Sequence, residues 1–330
     1  MDVRDERMHP VGTEAAWSES YYFNFVDPDT KVGMFTRMGF RPGDRWADGL
    51  HAVYHGGDRV AFTYGRRDIG VDLTAYDGDL VVGGLALECI EPFARWRVAY
   101  RGPAQDIADA AILLERSKAR PAGWYRPAEL DMSVDFVALA PPHYAGHGTR
   151  GHFEQTGRVE GRIAIAGETK RVSGFGVRDK SWGPRDWGAG GGAGASSPAR
   201  RGTGPAPFVN WFSMNFGAAL ALGGSCFRAQ DGVMRGAGWI QRDGRTEDLL
   251  DVVIESTYKP DSILHTSIRL TGRAASGGSL EVDGRVLTVC PTKIPMRGGA
   301  TFVNEGLAEF QAEGMTGFGI SEHWHLVRGE

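Results

Sequence analysis

Apolar and polar residues alternate with a period of two along much of this chain, the spacing of strands with one buried face. Trp96, Val98 and Tyr100 share one parity, Arg97 and Arg101 the other. In "HFEQTGRVEGRIAIAG", Phe153, Val159, Ile163 and Ile165 take one parity; His152, Glu154, Thr156, Arg158, Glu160 and Arg162 take the opposite one. That length predicts a long strand or hairpin. Asp-Gly pairs at 77–78, 231–232, 243–244 and 283–284, and Gly56-Gly57, predict tight turns, because these residues tolerate positive φ. One segment departs from the pattern. Ile107, Ala110, Ala111 and Leu114 predict a helix over about 104–118, stopped by Pro121 and packed outside a sheet.

The pattern therefore predicts an all-β chain of two closed or nearly closed antiparallel barrels with one or two short helices. Its 330 residues exceed one usual core. The expected division is 1–150 and 151–330. The 48 glycines fit this picture, since many punctuate short apolar segments. Others lie in "GAGGGAGASSPARRGTG" (188–204), which cannot bury a core and reads as a mobile inserted loop.

Composition narrows the function classes. The hydrophobic fraction is 42%, the charged fraction 24% and the net charge −4, so no nucleic-acid footprint is expected. The start, "MDVRDERMHPVG", has no apolar core of a signal, and no run approaches a membrane span. Cys89, Cys226 and Cys290 are scattered, with no Cys-x-x-Cys pair. A reduced cytoplasmic protein is the expectation. "GAGGGA" lacks the strand before it and the helix after it that a dinucleotide site needs. No phosphate loop, His-Glu-x-x-His or nucleophile elbow occurs, and no cofactor is expected. His323 and His325 in "SEHWHLV" have spacing that zinc accepts, but no third ligand is legible, and structural histidines are the simpler reading.

The chemistry concentrates in "SGFGVRDKSWGPRDW" (173–187). In an extended chain Ser173, Phe175, Val177, Asp179 and Ser181 share a face, and Arg178, Lys180 and Trp182 share the other. Asp179 is then grouped with apolar neighbours and parted from the adjacent cations. Burial among such groups raises a carboxyl pKa; half protonation at pH 7 needs about 4 kcal/mol. Glu322 has a similar setting, sharing parity with Phe318, Ile320, Trp324 and Leu326. Two such carboxyls in one cavity would push one pKa further up. The plainer alternatives are a turn role for Asp179, an ion pair of Glu322 with Arg178 or Arg185, and Trp182 and Trp187 capping a barrel end.

"GFGVRDKSWGPRDW" resembles the glycine-rich strand and Asp-His-x-Trp-Gly signature of the carotenoid 1,2-hydratase (hydroxyneurosporene synthase)-like superfamily, which includes tocopherol-cyclase-like proteins and fungal Diels–Alderases. "HFEQTGRVEGRIAIAGE" is similar to the segment before that signature in a bacterial branch. The resemblance implies a tandem lipocalin-like (calycin) fold. It also implies that Asp179 matches the acid that protonates an isolated alkene and that Trp182 matches the signature tryptophan. Lys180 stands where that superfamily usually has histidine.

The expected activity is cofactor-independent Brønsted-acid chemistry on an apolar, alkene-bearing isoprenoid, steroid or polyketide, ending in hydration, isomerisation or cyclisation. Asp179 and Glu322 are the candidate catalytic residues. Phe175, Trp182, Trp187, Trp211 and Trp324 are candidate aromatic contacts for a cationic intermediate. His152, Glu154 and His323 are the polar candidates for substrate contact. The alternative is a lipocalin-like carrier that binds a lipid or pigment unchanged.

Overall fold

The computed structural model describes residues 1–13, 16–185, 206–296 and 299–328. They form two compact units, almost entirely of antiparallel strands. Among the described residues no helix is long and apolar enough to cross a membrane.

The first unit contains β1 (Trp17–Val26), β2 (Gly33–Arg41), β3 (Trp46–Gly56), β4 (Arg59–Asp68), β5 (Val81–Val82), β6 (Leu85–Glu91), β7 (Arg95–Ile107), β8 (Arg126–Ala138), β9 (His143–Gly146), β10 (Gly151–Ile165) and β11 (Glu168–Pro184). The order β4-β3-β2-β1-β11-β10-β8-β7 curls round until β4 meets β7 through Val60–Ile107, Ala61–Asp106 and Phe62–Gln105. The interior follows the predicted parities: Trp96, Val98, Tyr100, Phe153, Val159 and Ile163 lie in one buried cluster with Tyr21, Phe23 and Phe136.

The second unit is a closed eight-stranded barrel in simple meander order. Its strands are β12 (Val209–Asn215), β13 (Leu220–Arg228), β14 (Met234–Arg242), β15 (Arg245–Tyr258), β16 (His265–Ala274), β17 (Ser279–Met296), β18 (Gly299–Ala312) and β19 (Met315–Arg328). Phe212, Met214 and Phe216 point into its core with Leu222, Leu270 and Phe310, as the alternation of β12 dictates. Closure leaves no strand edge unpaired.

Three expectations are corrected. The main division falls near residue 185, not 150, because β10 and β11 pair with β8 and β1 and complete the first sheet; residues 57–59 and 108–124 group with the second unit. The helix expected over 104–118 does not form. Residues up to Ile107 belong to β7, where Asp106 pairs with Arg126, and the rest makes short 3-10 turns, Ala110–Leu114 and Ser117–Ala119. The first is capped by Asp109, which accepts from the Ala111 amide at 2.9 Å. Too few residues remained to nucleate an α-helix once the strand had claimed the start. Asp283-Gly284 is no turn; it lies inside β17. Asp243-Gly244 is one, with both φ values positive. The 188–204 loop, Asp186 and Trp187 lie outside the described residues.

Candidate active site

The signature strand β11 has two chemically different faces. Its partners fix which residues join each. Tyr22 of β1 and Glu154 of β10 sit directly opposite Asp179; Arg37 of β2 sits opposite Tyr22, and His143 of β9 opposite Glu154. Directly paired residues share a face. One ladder, Arg37–Tyr22–Asp179–Glu154–His143, therefore crosses five strands on the side turned away from the core. The next row is Ser20–Ser181–His152.

Hydrogen bonds knit these rows. His152 Nε2 and Glu154 Oε1 lie 2.9 Å apart. The hydroxyls of Ser20 and Ser181 are 2.9 Å apart, and Arg185 Nη1 donates to Ser181 Oγ at 3.3 Å. Arg37 Nη1 donates to Asp48 Oδ1 at 3.1 Å. Among the described residues the Asp179 carboxylate takes part in no hydrogen bond or ion pair.

Asp179 is densely surrounded by protein, although the residue keeps some exposure. Burial raises its pKa above 3.8, and the charge of Glu154 adds to the rise; His152, Arg185 and Arg37 oppose it without cancelling it. His152 shifts upward too. Burial works against its charged form, but the Glu154 hydrogen bond and the charges of Asp179 and Glu154 outweigh it. The arrangement is a carboxyl that gives up its proton reluctantly beside an imidazole that keeps one readily. Such a pair can donate and take back a proton.

The other face of β11 is structural. Arg178 and Lys180 are 1% and 0% exposed, so these two charges must be matched inside the barrel. Arg178 makes a double hydrogen bond to Glu6 at 2.9 and 2.6 Å, and its Nε donates to Gln155 Oε1 at 2.8 Å. Lys180 pairs with Glu19 and donates to the Arg7 carbonyl at 3.2 Å. Burial alone would raise the Glu19 carboxyl, but Lys180 and His9 hold it below its ordinary value. His9 stacks on Trp182 with ring centroids 4.1 Å apart, and Trp182 Nε1 donates to the Gly148 carbonyl at 2.8 Å. Trp182 therefore packs in the core and not on the face of Asp179. Lys180 ties the N-terminal segment into the barrel.

Phe175 shares the Asp179 face by parity. Glu322 lies in the second unit, on the side of β19 turned away from the barrel core. It faces Glu305 on β18 and Trp211 on β12, and Trp324 Nε1 donates to it. Trp211, Glu322 and Trp324 are thus brought together, with Glu305 as the carboxyl partner the sequence did not reveal. His323 has the opposite parity and points into the barrel. The sequence also missed Tyr22 and Arg37. Each sits in an alternating strand, but register across strands far apart in sequence leaves no local signal. Among the described residues no group of His, Cys, Asp and Glu is arranged to hold a metal ion. An open groove of about 480 Å³ on the second unit is lined by exposed charged residues, including Glu255, Arg269, Asp283 and Arg285, and contains none of the candidates.

A family model described as a domain of unknown function, DUF7064, matches residues 2–327. No curated protein matches the chain. Solved structures share its fold. NE1406 of Nitrosomonas europaea, an AttH candidate, is 15% identical with a TM-score of 0.61, over 98% of this chain and 95% of that one. CghA solved with Sch210972 is 12% identical with a TM-score of 0.55, over 96% and 90%. CghA solved alone gives 12% and 0.55, over 98% and 96%. At these identities the likeness is one of fold: a tandem lipocalin-like architecture.

Proposed function

We propose that this chain, which belongs to the DUF7064 family, is an acid–base enzyme that transfers a proton to carbon in an apolar, unsaturated small molecule. The observation that carries the reading is Asp179: an unpaired carboxyl with a raised pKa, flanked by the His152–Glu154 pair. In the proposed reaction Asp179 gives its proton to an alkene carbon. The C=C π pair forms the new C–H bond and leaves a cation on the neighbouring carbon. Phe175 and Tyr22 stabilise that cation through their ring faces. Loss of a neighbouring proton gives an isomer; attack by water, with loss of one of its protons, gives an alcohol; attack by a second alkene closes a ring and leaves a new cation that loses a neighbouring proton. The proton released in each case returns to Asp179, with His152 as the relay. None of these outcomes calls on a cofactor.

Two further points support a small-molecule substrate. CghA, a protein of the same fold, has been solved with Sch210972. The signature strand also resembles that of the carotenoid 1,2-hydratase-like superfamily, in which the matching acid protonates an alkene. Isoprenoids, steroids and polyketides are the proposed substrate classes. Glu322, with Trp211 and Trp324, is a second proposed carboxyl–aromatic group.

The test is deuterium incorporation. Purified protein is incubated in D2O with squalene, an unsaturated steroid and a polyene polyketide, and products are read by mass spectrometry. Wild type should place deuterium on carbon in one class, and Asp179→Asn should not. Incorporation by Asp179→Asn at the wild-type rate would remove Asp179 as the acid. Tight binding by both proteins with no incorporation would favour the carrier.

A further inference from the structure

The interior of the second barrel is apolar except for one layer. Along the inward face of β18 the residues are Ala300, Phe302, Asn304, Gly306, Ala308 and Phe310. Ala300 and Phe302 pack with Ile263 at one end, and Ala308 and Phe310 belong to the main core at the other. Between them lies a set of side chains at most 1% exposed: Asn210, His265, Asn304, Ser321, His323 and His325. His323 is at its centre, paired across the sheet with Asn210 and with Asn304, and stacked on His265 at 3.7 Å. Tyr258 Oη is 2.9 Å from His323 Nδ1.

Among the described residues, the buried atoms of this layer without a hydrogen-bond partner include three acceptors: Asn210 Oδ1, Asn304 Oδ1 and His265 Nδ1. Their neighbours fix two of them as acceptors. Asn304 Nδ2 donates to the Ile263 carbonyl at 2.9 Å, which orients its amide oxygen. His265 Nε2 donates to the Ser321 carbonyl at 2.9 Å, so the neutral ring carries a lone pair at Nδ1. The fold accommodates this imidazole specifically. A Cβ at position 306 would collide with His265 Nε2, so glycine is required there. Buried acceptors without donors are costly, because they lose water and gain nothing in return. They are therefore rare unless something supplies the donor.

We propose that this layer is a binding site for the hydroxyl head of a neutral, apolar molecule. Two amide oxygens and an imidazole lone pair call for a donor. The nearest carboxylates on β18 and β19, Glu305 and Glu322, have the opposite parity, so nothing in the layer compensates a cation. An anion would be repelled by these three acceptors. The apolar layers on either side, Ile263 and Phe302 on one and Leu270 and Phe310 on the other, suit a hydrocarbon body. The site rests on the second unit alone and does not depend on the role of Asp179.

The test uses 1-octanol against octane, followed by imidazole nitrogen NMR and by titration calorimetry of the full chain. Octanol should shift the His265 Nδ1 resonance in a saturable way and bind about tenfold more tightly than octane, the worth of one well-made hydrogen bond. Asn304→Leu should erase that preference. Should that variant fail to fold, Asn210→Ser and the wild-type octanol-to-octane ratio still decide the matter. Equal binding of the two probes, or a His265 Nδ1 signal that octanol leaves unmoved, would overturn the proposal.

Discussion

Glu6→Ala is the sharpest probe of the inner face of the signature strand. Glu6 sits 172 residues before Arg178, yet the two form a pair whose side chains are 2% and 1% exposed. Removing the carboxylate leaves a guanidinium buried against Trp96 and Phe153, whose ring centroids lie 5.6 and 5.1 Å away. Stranding one member of a buried pair costs about 3–5 kcal/mol. The Phe93 amide also loses its acceptor at 2.6 Å, for about 1 kcal/mol more. The expected loss is therefore about 4–6 kcal/mol. Arg178→Met should cost a similar amount by stranding Glu6. The double variant should be far less damaged than the sum, since an apolar pair of similar size leaves no charge uncompensated. Urea unfolding measures this directly, and amide exchange in β1 and β11 assigns the loss to the first unit. With a slope of about 2 kcal/mol per molar, Glu6→Ala should move the midpoint by about 2–3 M. A loss under about 1 kcal/mol, or simple additivity in the double variant, would show that Arg178 is solvated and that the inner face is not a structural clasp.

Three further outcomes are expected. Asp179→Asn should stabilise the first unit at neutral pH while abolishing proton transfer. A carboxyl with a raised folded pKa supports the fold below its unfolded pKa and loses that support as pH rises, which thermal melts at pH 4 and 7 will register. The second unit should be acid-sensitive. Burial, with the charge of His325 beside it, lowers His265 from 6.5 to about 3, so stability falls as pH drops below 6.5, by about 2 kcal/mol at pH 5 from this residue alone. A melting temperature of the second unit that is flat between pH 7 and 5 would contradict this. Gly151→Ala should destabilise the first unit by about 2 kcal/mol or more, since a Cβ there collides with the Trp182 indole; circular dichroism melts would expose an error if the variant is neutral.

Much of the fold was legible because strand parity is local. The alternation in 96–100 and 153–165 named the core residues correctly, and the extended reading of 171–182 parted Asp179 from Arg178 and Lys180 as observed. Which face of that strand turned inward was not legible. The face of two cations and a tryptophan became the inside because Glu6, Glu19 and His9 arrive from the chain start to match them. Half of the neighbours of Asp179 were hidden for the same reason. His152 and Glu154 lie one strand back in a hairpin and were accessible from parity, whereas Tyr22 and Arg37 depend on the β1–β11 pairing. The boundary at 150 missed that β10 and β11 pair with β8 and β1 and complete the first sheet, a pairing between distant segments that leaves no local signal. The helix over 104–118 failed because tertiary pairing of β7 with β8 outweighed a short amphipathic pattern.

The role of Asp179 is tested most directly by its own titration. Carbon-13 labelling of aspartate, with the Asp179 carboxyl resonance assigned by comparison with Asp179→Asn, gives its midpoint as pH is varied. A midpoint above 3.8 is expected, with His152 titrating above 6.5 in the same sample. A midpoint at or below 3.8 would mean that Arg37 and Arg185 hold the group ionised, and a carboxylate of that kind has no proton to give.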